Sequence, residues 1–178
     1  MVGGSYHVLI KKVDLRNMKI LVLGAFGMAG HTVALYFKEQ GYEVHAFARR
    51  PFPYCMWIQG DAFDIENLKT IVTTGRYDVV INCIGLLNQF AESAPEKAIY
   101  INSYLPHLIV SWLKDTSTRF IQMSTDCVFA GNTGPYDEES FPDGKSYYDR
   151  TKALGEVNDD KNLLFVTPSS DRILMKMV

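Results

Sequence analysis

The chain has 178 residues, of which 47% are hydrophobic, and this is enough for one substantial core. Its formal net charge of -2 offers no basic field for a phosphate backbone, so we exclude nucleic acid as a partner and expect a small ligand. The three cysteines lack metal-ligand spacing, and no apolar run reaches the roughly 18 residues of a membrane span. We therefore expect a cytoplasmic protein without a metal site or a membrane anchor, and leave its oligomeric state open.

Short apolar runs alternate with helical patterns from residue 18 onward. Strands are expected at 19–23, 43–47, 56–60, 78–85, 119–124 and 163–166, and helices at 28–40, 65–74, 95–114 and 147–158. Because strands alternate with helices and several strands are almost continuously apolar, the pattern predicts an α/β fold with a doubly wound parallel sheet of the Rossmann type. This NAD(P)-binding domain is expected to cover residues 18–167, after a peripheral leader at 1–17.

Three glycines directly follow the first predicted strand and open the first predicted helix. Residues without side chains permit a tight turn and a close approach of the backbone to a pyrophosphate at the helix N-terminus. The pattern therefore predicts a dinucleotide site, although small residues here also suit helix–strand packing alone. The cofactor-binding residues expected from this loop are Gly24, Phe26, Gly27, Met28, Ala29 and Gly30.

The ends of the later strands indicate which dinucleotide is bound. A site that prefers NAD usually has an acidic residue after its second strand, but this chain has Arg49 and Arg50 there. Guanidinium groups suit a 2′-phosphate, so we expect NADPH, with NADH as the alternative; two solvated loop arginines would look the same. Ligands bind along the carboxyl edge of such sheets, where the further expected cofactor residues are Asp61, Ala62, Cys83, Ile84 and Gly85.

A tyrosine and a lysine four residues apart predict the catalytic end of the site. Tyr148 and Lys152 share one face of a predicted helix, so the ammonium is expected to lower the phenol pKa from about 10 and to hold the nicotinamide ribose. Thr125, at the end of a strand, can hydrogen-bond a substrate carbonyl near that phenol. An exposed helical pair plus a turn-forming Ser-Thr-Asp is the alternative interpretation. The expected substrate residues are Ser124, Thr125, Asp126 and Tyr148.

Asn102 is a further candidate, because Pro106 lies four residues later in the same predicted helix. Proline cannot donate to the Asn102 carbonyl, so a water held there would link Lys152 to solvent as a proton route. A proline-kinked helix without chemistry is the other interpretation. The four histidines share no spacing and are expected to be surface or cap residues.

Several motifs occur together in an order typical of one family. They are GAFGMAGH at 24–31, NCIG at 82–85, Asn102 with Pro106, STDCVFAGNTGPYDEES at 124–140 and YYDRTKALGE at 147–156. On these motifs the chain resembles the extended short-chain dehydrogenase/reductase family, and within it the dTDP-4-dehydrorhamnose reductases. The resemblance implies that Thr125, Tyr148 and Lys152 are the catalytic trio and that the substrate is a nucleotide-linked 4-keto-6-deoxy sugar reduced at C4. Cys127 stands where the family usually has tyrosine.

The resemblance also implies a C-terminal substrate domain, and we expect that domain to be missing. Residues 168–178 are expected to be a non-native or disordered tail, because the codons from Phe165 onward, read one base earlier, allow the Arg, Ser, Ile-Ile and Gly of the family. Little turnover is then expected from this chain unaided. The alternatives are a sugar-nucleotide epimerase or dehydratase with bound NAD, a non-catalytic sugar-nucleotide-binding or regulatory protein, and an inactive fragment.

Overall fold

A computed structural model describes residues 18–132, 134–137, 139–157 and 159–167. The strands are β1 Lys19–Leu23, β2 Glu43–Ala48, β3 Met56–Gln59, β4 Val79–Asn82, β5 Arg119–Thr125 and β6 Leu163–Thr167. The helices are α1 Met28–Glu39, α2 Ile65–Thr74, α3 Asn88–Ser93, α4 Pro95–Ala98, α5 Leu105–Leu113 and α6 Tyr147–Leu154, with a π-helical segment at Ile99–Tyr104 and a 3-10 turn at Asp126–Val128.

The six strands form one parallel sheet in the order β3-β2-β1-β4-β5-β6. The predicted doubly wound parallel sheet is therefore confirmed. The strand order reverses between β1 and β4, so the crossovers on either side of that point cover opposite faces of the sheet. A crevice consequently opens at the carboxyl ends of these two strands, and this is where the site residues gather.

The apolar run of β1 is explained by burial on both faces. Leu21 and Leu23 pack into one core cluster, while Ile20 and Val22 pack into the other. Because alternate side chains of a strand point to opposite faces, helices on both sides bury every residue of such a strand. Burial on both faces makes the strand apolar throughout instead of alternating.

His45 was expected at the surface or at a cap, and this prediction is wrong. It lies on the interior strand β2 with 5% of its surface exposed. Its Nδ1 is 3.2 Å from the Tyr77 hydroxyl and its Nε2 is 2.9 Å from a Glu43 carboxylate oxygen. Burial lowers the pKa of His45, and the Glu43 carboxylate opposes that shift. His45 is thus a hydrogen-bonded core residue in the half of the sheet opposite the crevice.

The helix expected at 95–114 is present, but its middle is π-helical. At the end of the π-helical segment, the Leu105 amide donates to the Tyr100 carbonyl, five residues back. Pro106 has no amide hydrogen, so the ordinary bond to the Asn102 carbonyl cannot form. In a π turn each amide donates to the carbonyl five residues back, so this conformation does not need the bond between residues 106 and 102.

Two other predicted boundaries are corrected. The helix expected at 147–158 ends at Leu154, with Gly155 as its C-cap. Gly155 is closely packed, since a Cβ there would lie only 1.7 Å from the Asn102 carbonyl oxygen. The strand expected at 78–85 ends at Asn82. The Asn82 side chain accepts a hydrogen bond from the Ile84 amide at 3.1 Å, which turns the chain out of the sheet.

Some expectations concern absences or the chain ends. No helix in the described part of the chain is both long and apolar enough to cross a membrane. The same described residues contain no group of three or more His, Cys, Asp or Glu arranged to hold a metal ion. The predictions for 1–17 and 168–178 lie outside the described residues.

Candidate active site

A cleft of about 440 Å³ opens at the carboxyl edge of the sheet, where the strand order reverses. Ten residues expected from the sequence to contact a cofactor line it: Gly24, Phe26, Gly27, Arg49, Arg50, Asp61, Ala62, Cys83, Ile84 and Gly85. Six more lining residues were not expected: Phe47, Ala48, Gly60, Phe63, Leu86 and Ile101. Phe63 and Leu86 directly follow predicted residues, so extending each strand-end motif by one position would have found them.

The glycine loop forms the floor of the cleft. Gly24 has a φ of +79°, and a Cβ there would come within 3.0 Å of the Ile84 side chain and 3.1 Å of the Cys83 backbone. Only glycine adopts this positive φ without strain and also leaves room for these neighbouring atoms. The N-cap of α1 is Gly27, which has no side chain to accept hydrogen bonds from the first-turn amides. Those amides and the positive end of the helix dipole are therefore available to an anion.

The other residues predicted from this loop do not line the cleft. A Cβ at Gly30 would lie 2.3 Å from the Gly24 carbonyl oxygen, so Gly30 allows α1 to pack closely on the loop. Met28 and Ala29 occupy the first turn of α1, and the Met28 side chain is exposed. Gly30 therefore contributes to the cleft indirectly, by letting α1 lie close to the loop that lines it.

The outer end of the cleft combines basic and aromatic side chains. Arg49 and Arg50 are both exposed, and the Arg50 guanidinium lies 5.8 Å from the centre of the Phe26 ring. The Phe63 ring stacks on Tyr100 with centres 5.1 Å apart and planes 21° apart. Cation–π and stacking contacts restrict these side chains near the cleft. This end consequently offers positive charge and flat apolar surfaces together.

Asn102 supports the cleft wall from behind. Its side chain is completely buried. It donates to the Leu86 carbonyl at 3.0 Å and to the Thr151 hydroxyl at 3.1 Å, and it accepts from the Leu86 amide at 2.8 Å. Two of these bonds join the π-helical segment to the loop after β4, and the third joins it to helix α6. Asn102 therefore does not line the cleft itself, and the water route expected at its carbonyl stays a prediction.

The predicted trio is buried beside the cleft and is not among the residues that line it. Thr125, Tyr148 and Lys152 are 6%, 8% and 5% exposed. A capping box between Ser146 and Asp149 starts α6 and places Tyr148 in its first turn. Thr125, at the carboxyl end of β5, accepts a hydrogen bond from the Cys127 amide at 3.2 Å and lies near enough to the Tyr148 phenol to affect its pKa. The strand end and the helix start thus bring a hydroxyl and a phenol together.

The ionisation of Tyr148 differs from the sequence-based expectation. Burial raises the pKa of its phenol, and the Thr125 side chain opposes this rise. The expected lowering of this pKa by Lys152 is wrong for this structure, because the Lys152 ammonium donates instead to the Met123 carbonyl at 2.5 Å. The phenol is therefore held in its protonated form, which is the form that can donate a proton.

Lys152 lies beside the inner wall of the cleft. Burial lowers the pKa of Lys152 to about 8, while the Glu156 carboxylate favours its charged form. Burial also raises the pKa of the Cys83 thiol to about 12. Cys83 lines the cleft and lies near Lys152, so this part of the cleft wall adjoins the trio.

The predicted substrate residues do not all face the same way. Ser124 is 4% exposed, and its hydroxyl donates to a Glu156 carboxylate oxygen at 2.6 Å. Because side chains alternate along a strand, Ser124 and Thr125 point to opposite faces of β5. Asp126 lines a second, open hollow of about 490 Å³ together with Cys127, Phe129, Gly131 and Tyr136. Glu156 was not among the predicted site residues, although it stands four residues after Lys152.

The fold and the cleft define the class of protein. A parallel sheet in this order, with a glycine loop after β1 and a cleft where the order reverses, is a Rossmann-type NAD(P)-binding domain. Residues 18–164 match the family described as the RmlD substrate binding domain. The chain belongs to this family.

Three relatives illustrate what the chain resembles. It is 33% identical over 156 residues to a probable low-salt glycan biosynthesis reductase, Agl14, of Haloferax volcanii, covering 83% of this chain and 52% of the relative. It is 28% identical over 158 residues to methionine adenosyltransferase 2 subunit beta of Xenopus tropicalis, covering 86% and 46%. A crystal structure of a hypothetical dTDP-4-dehydrorhamnose reductase from Sulfolobus tokodaii superimposes with a TM-score of 0.77 at 30% identity, covering 85% and 56%. The chain thus spans about half the length of these relatives.

Proposed function

We propose that this domain binds NADPH and serves a reductase of a nucleotide-linked 4-keto-6-deoxy sugar, in the manner of the dTDP-4-dehydrorhamnose reductases. The observation that carries the proposal is the continuity of one cleft. It runs from Arg49 and Arg50, past the glycine loop, to Cys83 beside the buried Lys152. Such an arrangement suits a long anionic ligand whose reactive end reaches the trio.

The chemistry of the lining residues fits the proposed cofactor. The uncapped first turn of α1 suits the pyrophosphate, and Gly24 and Gly27 leave room for it. Arg49 and Arg50 suit a 2′-phosphate, for which an acidic residue would be unfavourable. Asp61 and Phe63, on the same side of the cleft, offer a carboxylate and a ring face to the base.

The residues of the trio would then have distinct roles in carbonyl reduction. The bound cofactor supplies a hydride to the carbonyl carbon. Tyr148 donates its phenol proton to the carbonyl oxygen, and burial keeps that proton in place beforehand. Thr125 orients the oxygen toward the phenol through its hydroxyl. The Lys152 ammonium would hold the nicotinamide ribose.

A second candidate is a nucleotide-binding subunit without turnover of its own. The similarity to methionine adenosyltransferase 2 subunit beta favours it, because that relative is named as a subunit. An epimerase or dehydratase is the third candidate, and it requires tightly held NAD that remains bound during purification. Arg49 and Arg50 make that form of the cofactor the less suitable one.

The cofactor proposal is tested by calorimetric titration of the chain with NADPH and with NADH. We expect tighter binding of NADPH, and we expect replacement of Arg49 and Arg50 with alanine to remove this preference. Charge-assisted hydrogen bonds contribute about 1.5 to 3 kcal/mol each, so NADPH binding should weaken at least about tenfold while NADH binding changes little.

Arg119→Ala is the matched control, because Arg119 is an exposed arginine at the start of β5, on the opposite edge of the sheet. It should leave both affinities unchanged. Equal affinities for NADPH and NADH in the unmodified chain would contradict the preference, and binding of neither would contradict the cofactor site. Consumption of NADPH with a nucleotide-linked 4-keto sugar, absent in Tyr148→Phe, separates a reductase from a subunit without turnover.

A further inference from the structure

We propose that Glu156 is a positioning residue of this site, which anchors the end of helix α6 to strand β5 through Ser124 and supplies the negative charge that keeps the Lys152 ammonium protonated in its buried position. The inference rests on the proposed function, because the charge of Lys152 matters where its ammonium holds the ribose of the proposed cofactor. It also gives Ser124 a role other than the substrate contact expected from the sequence.

The geometry of the turn after α6 brings Glu156 to the site. Gly155 is the C-cap of α6, and it packs so closely that a Cβ there would lie 1.7 Å from the Asn102 carbonyl oxygen. The next residue then reaches the carboxyl end of β5, where Ser124 donates to its carboxylate at 2.6 Å. Lys152, one turn earlier, donates to the carbonyl of Met123, the neighbour of Ser124. The carboxylate and the ammonium are thus both tied to adjacent residues of one strand.

The electrostatics of Lys152 require such a partner. An ammonium that is 5% exposed loses most of its hydration, and this loss favours the neutral amine. The titratable groups acting on it are the Glu156 carboxyl, from the turn after α6, and the Cys83 thiol, from the end of β4. Burial raises the pKa of Cys83 to about 12, so this thiol carries no charge at neutral pH. From β5 the facing group is the neutral Met123 carbonyl. Of these groups, Glu156 is the one that supplies negative charge near neutral pH.

The test measures the ionisation of Lys152 directly in the chain without added cofactor. The lysines are reductively methylated with ¹³C, and the Lys152 resonance is assigned by its absence in Lys152→Arg. We expect Glu156→Gln to lower the titration midpoint of Lys152 by at least about half a pH unit, since removing a nearby opposite charge disfavours the ammonium. Glu156→Asp, which retains the charge, should restore much of the midpoint.

Glu39→Gln is the matched control, because Glu39 is an exposed glutamate at the far end of α1. It should leave the midpoint of Lys152 unchanged. An unchanged midpoint in a folded Glu156→Gln variant overturns the proposal, with folding checked by circular dichroism and a cooperative thermal transition. If that variant does not fold, Ser124→Ala provides the second test, because loss of the anchoring hydroxyl should lower the midpoint in the same direction; no change there overturns the proposal.

This experiment separates the role of Glu156 from the proposed function. A Lys152 midpoint that falls in Glu156→Gln supports the positioning role even if the chain binds no dinucleotide, and that failure would defeat only the proposed function. If the chain binds NADPH but the Lys152 midpoint does not change in Glu156→Gln, the proposed cofactor is supported and the positioning role is overturned. The two readouts are therefore independent.

Discussion

Replacement of Gly155 with alanine should strongly destabilise the domain. The new Cβ would lie 1.7 Å from the Asn102 carbonyl oxygen, far inside the 3.0 Å that real Cβ contacts respect. It would also lie 2.8 Å from the Asn102 carbonyl carbon and 3.2 Å from the Ser103 Cα. These atoms are all backbone, so no side-chain rotation relieves the clash. Overpacking costs about 1 to 3 kcal/mol, and we expect about 3 kcal/mol here because α6 must move away from the π-helical segment.

The stability of this variant is measured by urea unfolding followed by circular dichroism, with thermal unfolding as a second probe. A loss of about 3 kcal/mol corresponds to a decrease of about 6 to 12 °C in Tm for a chain of this size. Gly85→Ala is the control, because its Cβ would meet only the Asn102 side-chain oxygen at an ordinary 3.7 Å. That variant should stay within about 0.5 kcal/mol of the unmodified chain. Equal stability of the two variants would refute the close-packing argument.

Three further outcomes follow from buried polar groups. Asn82→Ala should cost about 2 to 3 kcal/mol in urea unfolding, because it leaves the buried Gln122 amide oxygen and a loop amide without their partner; a loss below 0.5 kcal/mol, on the scale of an ordinary surface substitution, would contradict this. Burial lowers the pKa of His45 in the folded state below the ordinary histidine value of 6.5. As the pH falls through 6.5, the unfolded chain therefore binds more protons than the folded chain. The free energy of unfolding should therefore decrease as the pH falls through 6.5 toward the folded pKa, with a shallower decrease in His45→Gln; equal slopes would disprove the assignment. Thr125→Val should raise the pKa of Tyr148 further, because the opposing effect of the Thr125 hydroxyl is lost; the phenol is followed by ultraviolet titration against Tyr148→Phe, and an unchanged midpoint would speak against the contact.

Local features of the sequence were sufficient for the sheet and for most of the cleft. The apolar run of β1 and the glycines after it are consecutive in the chain. A strand followed by a glycine loop can therefore be predicted from residues only a few positions apart. The parallel order follows from the alternation of strands and helices. Since ligands meet parallel sheets at the carboxyl ends of the strands, the strand-end residues Asp61 and Gly85 were found without any knowledge of their contacts.

Patterns within single elements and turns were therefore enough to predict the parallel sheet and the glycine loop. Tertiary structure alone decided which way Ser124 points, where helix α6 stops, and that His45 is buried. It also decided that the pKa of Tyr148 rises, because desolvation depends on every element packed around the phenol. These properties arise from contacts between residues far apart in the chain. Periodicity and spacing report only what happens within one element or turn, and so they carry no information about such contacts.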